Sequence, residues 1–336
     1  MDGLLVIDKP TGPTSHDVVA RVRRAIGEPH VGHAGTLDPM ASGVLLLLLG
    51  RATRLARFLS ACDKWYDAII RLGVATDTYD ADGIPVGLPY DGPLPSRETL
   101  EHTLDAWRGS FLQRPPAFSA KKIAGRRSYK LARARRSDER EPSAGRAWDP
   151  TPAQEGTSGR AGAGESCPLP EAVAVLVHRL ELVAFEGDII TLRLSCSAGF
   201  YVRSLAHDLG QRLGVSAHLA ELRRTRSGDV TLADTLPLHV VERDPDRAAG
   251  AVVPLARMLP GLAPVVLTPE GARRATHGRD LGPGDIEKAG AHLFGAAADK
   301  PHDGMSVRLL DSAGQLIGIG EPARTPGLLH PSVVLR

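Results

Sequence analysis

The sequence predicts an α+β protein with a small β-rich region at its C-terminal end. Predicted strands and helices follow one another without the regular βαβ alternation that builds a parallel sheet. Two strand-like runs, 173–185 and 188–196, flank Glu186 and Gly187, a pair that predicts a tight hairpin turn. At 336 residues the chain is longer than one ordinary domain, so we expect a large domain and a smaller one.

The elements before this hairpin are predicted by apolar spacing and by residues that mark helix ends. Thr14 with Asp17 three residues later fits a capping box, and apolar residues at helical spacing then lead to Gly27, where the helix should end. The remaining predicted elements are a strand at 4–7, a buried strand at 44–49, a helix at 51–60, an alternating strand at 66–74 and a helix at 96–107.

The elements after the hairpin predict a second domain. Leucines at helical spacing predict a helix at 200–213, and 229–264 reads as a helical connector interrupted by prolines. We expect one domain over residues 1–260 and a small β-rich domain over 261–336. Residues 137–172 are rich in Pro, Gly, Ala, Ser and acidic residues, so we expect a flexible insertion. It has either no function or a weak contact with the basic run before it.

Composition excludes several classes of protein. The net charge of +2 is too small to indicate nucleic-acid binding by itself, but residues 108–136 contain ten Lys or Arg and no Asp or Glu. Such a run suits a phosphate-facing surface, although alone it is also typical of a solvated face. The three cysteines have no metal-binding spacing and favour a reducing compartment. With no apolar run long enough to cross a bilayer and no signal-peptide pattern, we expect a cytoplasmic protein.

Residues 32–43 form the most informative motif, Gly-His-Ala-Gly-Thr-Leu-Asp-Pro-Met-Ala-Ser-Gly, and run directly into the apolar strand. Its three glycines permit positive φ angles and the close approach of a ligand. Pro39 fixes φ next to Asp38, so the carboxylate lies on a stiffened turn, where a nucleophile or an acid–base group is commonly placed. An Asp-Pro pair alone is typical of an ordinary turn. The full string predicts a loop that carries a reactive carboxylate.

This string resembles the catalytic loop GHxGTLDPxAxG of the tRNA pseudouridine synthase B family, whose catalytic aspartate falls on Asp38. Residues 3–15 resemble the opening strand and turn of that family. Residues 64–83 resemble its second motif, which implies that Tyr66 is the active-site tyrosine. Residues 196–205 resemble its third motif, with Arg203 as the active-site arginine. The resemblance implies a pseudouridine-synthase core with a mixed, mainly antiparallel sheet, followed by a PUA-like RNA-binding domain.

The resemblance also implies residues that contact RNA. His33 matches a residue that stacks into the RNA loop vacated by the target base, while Tyr201 and Leu222 match residues around the target nucleotide. Residues 110–136 match a thumb-like segment that binds RNA, and its basic residues are expected to contact phosphates: Lys122, Arg126, Arg127 and Lys130. Lys121 stands where the family usually has leucine, and Ala198-Gly199-Phe200 replaces its more common Lys-Gly-Thr.

Each candidate residue also has a structural interpretation. Tyr66 is otherwise a strand aromatic packed in the core, and a core position suits Leu222 nearly as well. His33 is otherwise an ordinary surface or hydrogen-bonded histidine, and Arg203 is otherwise a residue of a helix surface. In the catalytic interpretation, the charge of Arg203 keeps Asp38 ionised. Tyr66 then offers a flat face to the base and a phenol that assists removal of the C5 proton.

The predicted activity is isomerisation of a uridine to pseudouridine in the T-loop of tRNA, by resemblance at position 55. The base and sugar stay on the enzyme, so we expect no cofactor and no metal, and no nucleotide-binding motif occurs in the sequence. We expect tRNA as the partner, no membrane contact and a monomer. Three alternatives stay open: a guide-RNA-dependent synthase, a non-catalytic tRNA-binding or folding protein, and a glycoside hydrolase. The last would need a second carboxylate, for which Asp77, Asp80 and Asp82 are available, although they read better as a polar loop.

Overall fold

A computed structural model describes residues 1–119, 122–123, 126–127, 170–289 and 306–335 of the chain. The chain divides into two compact units. The first contains Met1–Tyr66 and Leu222–Arg336, and the second contains Asp67–Glu221. The division into domains at residue 260 stays a prediction. The predicted insertion at 137–172 lies outside the described residues except for 170–172.

The secondary structure of the described residues is as follows. The α-helices are α1 (Ser15–Ile26), α2 (Ala56–Ser60), α3 (Arg97–Leu104), α4 (Val202–Arg212), α5 (Leu238–Arg243), α6 (Pro245–Gly250) and α7 (Pro269–Thr276). The strands are β1 (Gly3–Lys9), β2 (Val31–Ala34), β3 (Ala41–Leu49), β4 (Lys64–Leu72), β5 (Ala75–Thr76), β6 (Pro85–Val86), β7 (Gly109–Gln113), β8 (Lys122–Ile123), β9 (Arg126–Arg127), β10 (Val173–Glu186), β11 (Ile189–Cys196), β12 (Ala217–Ser227), β13 (Val230–Thr231), β14 (Leu236–Pro237), β15 (Val253–Pro254), β16 (Pro264–Leu267), β17 (Ile286–Ala289), β18 (Val307–Leu310), β19 (Leu316–Pro322) and β20 (Leu329–Val334).

Helix α1 confirms the prediction made from its end signals. The Thr14 hydroxyl accepts from the Asp17 backbone N–H at 3.1 Å, and the Asp17 carboxylate accepts from the Thr14 backbone N–H at 2.8 Å. This reciprocal pair satisfies two donors at a helix start. The helix ends at Gly27, which has the left-handed conformation (φ 67°) that glycine adopts at little cost.

Three predicted elements differ from the structure in their details. The helix predicted at 51–60 begins as a 3₁₀ helix, Gly50–Leu55, and becomes α-helical only in α2. The helix predicted at 96–107 is α3 followed by a 3₁₀ turn, Asp105–Trp107. The connector predicted to be helical contains α5 and α6 but also the short strands β13, β14 and β15.

The first unit is built on a sheet with the strand order β14-β1-β3-β12. Strand β1 pairs with β3 antiparallel along its whole length, and β2 pairs antiparallel with the far end of β3. The end of β12 that belongs to this unit pairs with β3 in parallel, with Leu222 opposite Ala41 and Arg224 opposite Gly43. This register brings β12 beside the start of β3, where the motif around Asp38 ends.

A second sheet in the first unit has the order β17-β16-β18-β19-β20. Only its β16–β18 pair is parallel. Leu316, Ile319 and Leu335 of this region share a hydrophobic core with Leu46 and Leu48 of β3. The C-terminal sheet therefore packs directly beneath the strand that follows the Asp38 motif.

The second unit contains the strand order β4-β11-β10-β7. Strands β10 and β11 pair antiparallel up to Glu186 and Ile189, which confirms the predicted hairpin. Mixed, mainly antiparallel sheets with helices confirm the predicted α+β class. No helix among the described residues is both long and apolar enough to cross a bilayer.

Candidate active site

The sequence had suggested that residues 32–43 form one continuous loop, but the structure shows that they do not. Gly32 to Ala34 belong to β2 and Ala41 to Gly43 belong to β3, so the loop itself spans only 35–40. Gly43 has φ 100°, and a Cβ atom there would lie 2.2 Å from the main-chain oxygen of Arg224. Glycine is therefore required where β12 approaches the end of the loop.

A buried lysine fixes the outgoing end of this loop. Lys9, at the end of β1, is 0% exposed. Its ammonium group donates to the carbonyl oxygens of Pro10 at 2.9 Å, Pro39 at 3.2 Å and Ala41 at 2.6 Å. The carbonyls of Pro39 and Ala41 lie one and three residues after Asp38 in the chain. Because charge-assisted hydrogen bonds are among the strongest in proteins, Lys9 holds the backbone on the C-terminal side of Asp38.

A buried arginine fixes the incoming end of the loop. Arg224 on β12 is 1% exposed. Its guanidinium donates to the carbonyl oxygens of Val44 at 2.7 Å, Gly35 at 2.9 Å and Thr36 at 3.5 Å. Arg224 and Lys9 thus hold Asp38 between them through main-chain carbonyls. The half-buried Asp38 side chain lies on a loop that two cations make rigid.

Ser15 supplies a third restraint on the loop. Its hydroxyl donates to the Leu37 carbonyl at 2.9 Å and accepts from the Leu37 backbone N–H at 2.9 Å. The serine belongs to the first turn of α1, so the helix fixes the residue directly before Asp38. A nucleophile benefits from such preorganisation, because a shift of about 1 Å can cost 10²-fold in rate.

The other predicted residues of the first unit lie on neighbouring strands. Leu222 is buried and pairs with Ala41, three positions after Asp38. Tyr66 is also buried, on the side of β4 that alternates into the core. His33 on β2 is half-buried, and its ring meets the exposed His16 ring edge-to-face at 5.1 Å. The structural and catalytic interpretations of Tyr66 and Leu222 both fit these positions.

Arg203 belongs to the second unit and is 4% exposed. Its guanidinium donates to the carbonyl oxygens of Thr78 at 3.1 Å and Phe118 at 2.9 Å. It also forms an ion pair with the buried Asp80 carboxylate at 3.4 Å. Asp80 belongs to the polar loop that the sequence indicated, but its side chain is buried there. The role of Arg203 beside Asp38 stays a prediction, as do the roles of the other site residues.

The segment that carries Asp80 is held by a stacked pair of rings. Tyr79 has φ 66°, an uncommon conformation for a residue with a side chain. Its ring stacks on His207 of α4 with centroids 3.8 Å apart. Burial raises the pKa of Tyr79, with a smaller effect from Asp208, and burial lowers the pKa of His207. Both rings are therefore neutral near pH 7, and their contact fixes Tyr79 between Thr78 and Asp80, which both bind Arg203.

Tyr201 is the residue before α4, and Gln113 at the end of β7 binds its main chain. The basic residues predicted to contact phosphates follow Gln113 in the chain and begin at Lys122. Backbone pairing joins Lys122 to Arg127 and forms a short hairpin of β8 and β9. Lys130 lies outside the described residues.

Lys9, Arg224 and Gln113 were not identified as functional candidates from the sequence, and Asp80 was considered only as the second carboxylate of a glycoside hydrolase. Lys9 had a signal, since it is a charged residue that closely follows the strand predicted at 4–7, whereas Arg224 lies in a segment for which no element was predicted. Their partners are carbonyl oxygens, which carry no side-chain identity and leave no pattern in a sequence. Among the described residues, no three His, Cys, Asp or Glu side chains are grouped as a metal ion would require.

Comparison with known proteins gives consistent matches. Residues 23–146 match the family model described as TruB family pseudouridylate synthase (N terminal domain), and residues 203–259 match the model described as tRNA pseudouridylate synthase B C-terminal domain. A protein of Solibacter usitatus named tRNA pseudouridine synthase B is 41% identical over 100% of both chains. One of the same name from Azoarcus sp. is 35% identical over 96% of this chain and 91% of the relative.

Solved structures match the fold of the chain. A chain in a crystal structure of a Cbf5-Nop10-Gar1 complex has a TM-score of 0.66 and 26% identity, covering 99% of this chain and 84% of its own length. A chain in an archaeal box H/ACA sRNP Nop10-Cbf5 complex has a TM-score of 0.65 at 24% identity, covering 99% and 86%. The predicted class of fold is therefore shared by solved proteins over almost the whole chain.

Proposed function

Because the chain belongs to the TruB family of pseudouridylate synthases, we propose that it isomerises a uridine in the T-loop of tRNA, at tRNA position 55, to pseudouridine. The observation that carries this proposal is the loop at 35–40, which holds Asp38 between the buried cations Lys9 and Arg224. A protein that only binds RNA has no need of a carboxylate held so rigidly. The curated relatives named tRNA pseudouridine synthase B support tRNA as the substrate.

The reaction rearranges bonds without net gain or loss of atoms. The bond from N1 of the uracil to C1′ of the ribose breaks, the base turns, and C5 bonds to C1′. The C5 proton leaves to solvent and N1 gains a proton. The Asp38 carboxylate acts as the nucleophile, and attack on the sugar or on the base are both compatible with its position. The target nucleotide must leave its stack, at a cost of a few kcal/mol.

The other site residues have complementary roles in this proposal. Arg203 keeps Asp38 ionised, and Tyr66 supports the base and assists departure of the C5 proton. His33, Tyr201 and Leu222 bind the RNA loop and the flipped nucleotide. Stacking of a base on a ring contributes about 1–3 kcal/mol, which offsets the cost of flipping. The protein acts as a monomer in the cytoplasm, and residues 261–336 form a PUA-like RNA-binding domain.

The stand-alone enzyme is favoured over the guide-RNA-dependent alternative. Relatives of 35–41% identity carry the name tRNA pseudouridine synthase B, whereas the Cbf5 chains of the multi-protein complexes reach only 24–26%. The basic thumb segment at 110–136 also supplies its own charge for RNA binding. An enzyme that delegates substrate choice to a guide has less need of that charge.

Tritium release provides the direct test of this function. The purified protein is incubated with an unmodified tRNA transcript that carries uridine labelled with tritium at C5. We expect stoichiometric release from the wild-type transcript and none from a transcript with cytidine at position 55. Release from both transcripts would show that the position is wrong. Binding of tRNA without any release would favour a non-catalytic protein.

A second prediction concerns the thumb segment. Replacing Arg126, Arg127 and Lys130 together by alanine should make tRNA binding weaker and less dependent on salt, because fewer counterions are released from the RNA. The slope of log affinity against log salt should fall by about 2, at roughly 0.7 per lost phosphate contact. The matched control replaces three exposed arginines of the same unit that pair with acidic residues: Arg71, Arg179 and Arg193. If both triple variants show the same slope, the thumb does not contact the phosphates.

A further inference from the structure

Gln113 joins the root of the thumb segment to the start of helix α4. It is the last residue of β7 and is 2% exposed. Its side-chain oxygen accepts from the Tyr201 backbone N–H at 2.8 Å, and its side-chain nitrogen donates to the Tyr201 carbonyl at 3.0 Å. The amide group thus binds both polar groups of one residue's main chain, as a neighbouring strand would.

The contact between Gln113 and Tyr201 lies at the start of helix α4. Tyr201 is the N-cap residue of α4, and its own side chain makes no capping hydrogen bond. Gly199, two residues earlier, has φ 87°, so the chain turns sharply just before the helix. The Gln113 side chain binds the main chain of Tyr201, between this turn and Arg203. The contact therefore lies two residues before Arg203 in the chain.

Two further hydrogen bonds run between the same two segments. The Ser204 hydroxyl donates to the Arg114 carbonyl at 3.0 Å, and the Arg203 guanidinium donates to the Phe118 carbonyl at 2.9 Å. Residues 113–118 therefore hold residues 201–204 at three successive points. Of these three residues, Gln113 makes its contact through its side chain. Arg114 and Phe118 contribute main-chain carbonyls, which any residue would provide.

We propose that Gln113 is a positioning residue for pseudouridine formation, which acts by setting the orientation of Arg203 through the main chain of Tyr201. This inference rests on the proposed function. It requires the rate of the chemical step to depend on Gln113 much more strongly than the affinity for tRNA does. The Gln113 side chain is buried and binds the main chain of Tyr201, whose own RNA contact is only one of several in the proposed function. A residue that only stabilises the fold would not produce this separation.

Single-turnover kinetics of variants at position 113 test the proposal. Gln113→Met keeps the length of the side chain but removes both hydrogen bonds, and Gln113→Glu keeps the acceptor for the Tyr201 N–H. We expect the tritium-release rate at saturating enzyme to fall about 10- to 100-fold for Gln113→Met and less for Gln113→Glu. The dissociation constant for tRNA should change by less than about twofold. The control is Gln211→Met, an exposed glutamine of α4, which should behave as wild type.

A double-mutant cycle with Arg203→Ala excludes a general effect on folding. If Gln113 acts through Arg203, Gln113→Met should slow wild type but have little further effect on the Arg203→Ala variant. Equal slowing in both backgrounds, a wild-type rate for Gln113→Met, or a loss of affinity alone would each overturn the proposal. These outcomes differ from failure of the proposed function, in which wild type itself releases no tritium.

Discussion

Replacing Asp38 by asparagine is expected to abolish pseudouridine formation while tRNA still binds. The amide has nearly the shape of the carboxylate but is neither charged nor a competent nucleophile. The loop should persist, since Lys9, Arg224 and Ser15 hold it through main-chain atoms and through Leu37. The nucleophile lowers the energy of the transition state and not that of the bound substrate. We therefore expect the single-turnover rate of the variant to fall at least about 10⁴-fold.

Tritium release and tRNA binding, measured side by side, decide this prediction. The dissociation constant should stay within about threefold of wild type, because Asp38 contributes one carboxylate to a large RNA-binding surface. Asp82→Asn is the matched control: its carboxylate is exposed and belongs to the group that a glycoside hydrolase would have used. Normal turnover by Asp38→Asn would show that the nucleophile is another residue. Loss of activity in Asp82→Asn would reopen the two-carboxylate alternative.

Replacing Arg224 by methionine is expected to destabilise the first unit and to slow the reaction. Methionine fills much of the volume but donates no hydrogen bond, so the carbonyls of Gly35 and Val44 lose buried, charge-assisted partners. Leaving buried acceptors unsatisfied costs about 1–3 kcal/mol each. We therefore expect the free energy of unfolding to fall by about 3 kcal/mol. Activity should fall as well, because the incoming end of the Asp38 loop is released.

Urea unfolding of both the variant and a control measures this effect. Arg21→Met removes an exposed arginine that pairs with Glu242, and such surface pairs contribute about 1 kcal/mol or less. Hydrogen exchange gives a second, local reading. The backbone amides of 35–41 should exchange faster in Arg224→Met than in Arg21→Met, even where the rest of the unit stays protected. Equal stability of the two variants would mean that Arg224 does not support the loop.

Local sequence signals were sufficient to predict much of the fold. The capping pair of Thr14 and Asp17 with Gly27 defined α1, and Glu186-Gly187 placed the hairpin between β10 and β11. Strand β12 was not predicted from the sequence. Its residues mix alanine, leucine and arginine without strict alternation, and it forms because β3, far away in the chain, accepts it in parallel register. Pairing between distant segments leaves no local pattern.

The residues of the candidate site also differ in whether a local sequence signal reveals them. Asp38 was identifiable because glycines and a proline surround it in one short string. The contacts of Arg203 with Asp80 and Thr78 could not be identified from the sequence, because they join distant segments. Thr78 lies 125 residues before Arg203. The acidic run around Asp80 reads as a polar loop in the sequence. Burial of a single one of those carboxylates is a property of the packed structure.

The shared core of β3 and the C-terminal sheet has a consequence for shortened forms of the protein. Leu316, Ile319 and Leu335 cover Leu46 and Leu48, which lie in the strand leading out of the Asp38 loop. A protein truncated before residue 316 would expose Leu46 and Leu48 to water. It would also lose the packing that supports the strand leading out of the Asp38 loop. Loss of activity in such a truncated product would therefore reflect damage to the catalytic centre as well as loss of part of the RNA-binding domain proposed for residues 261–336.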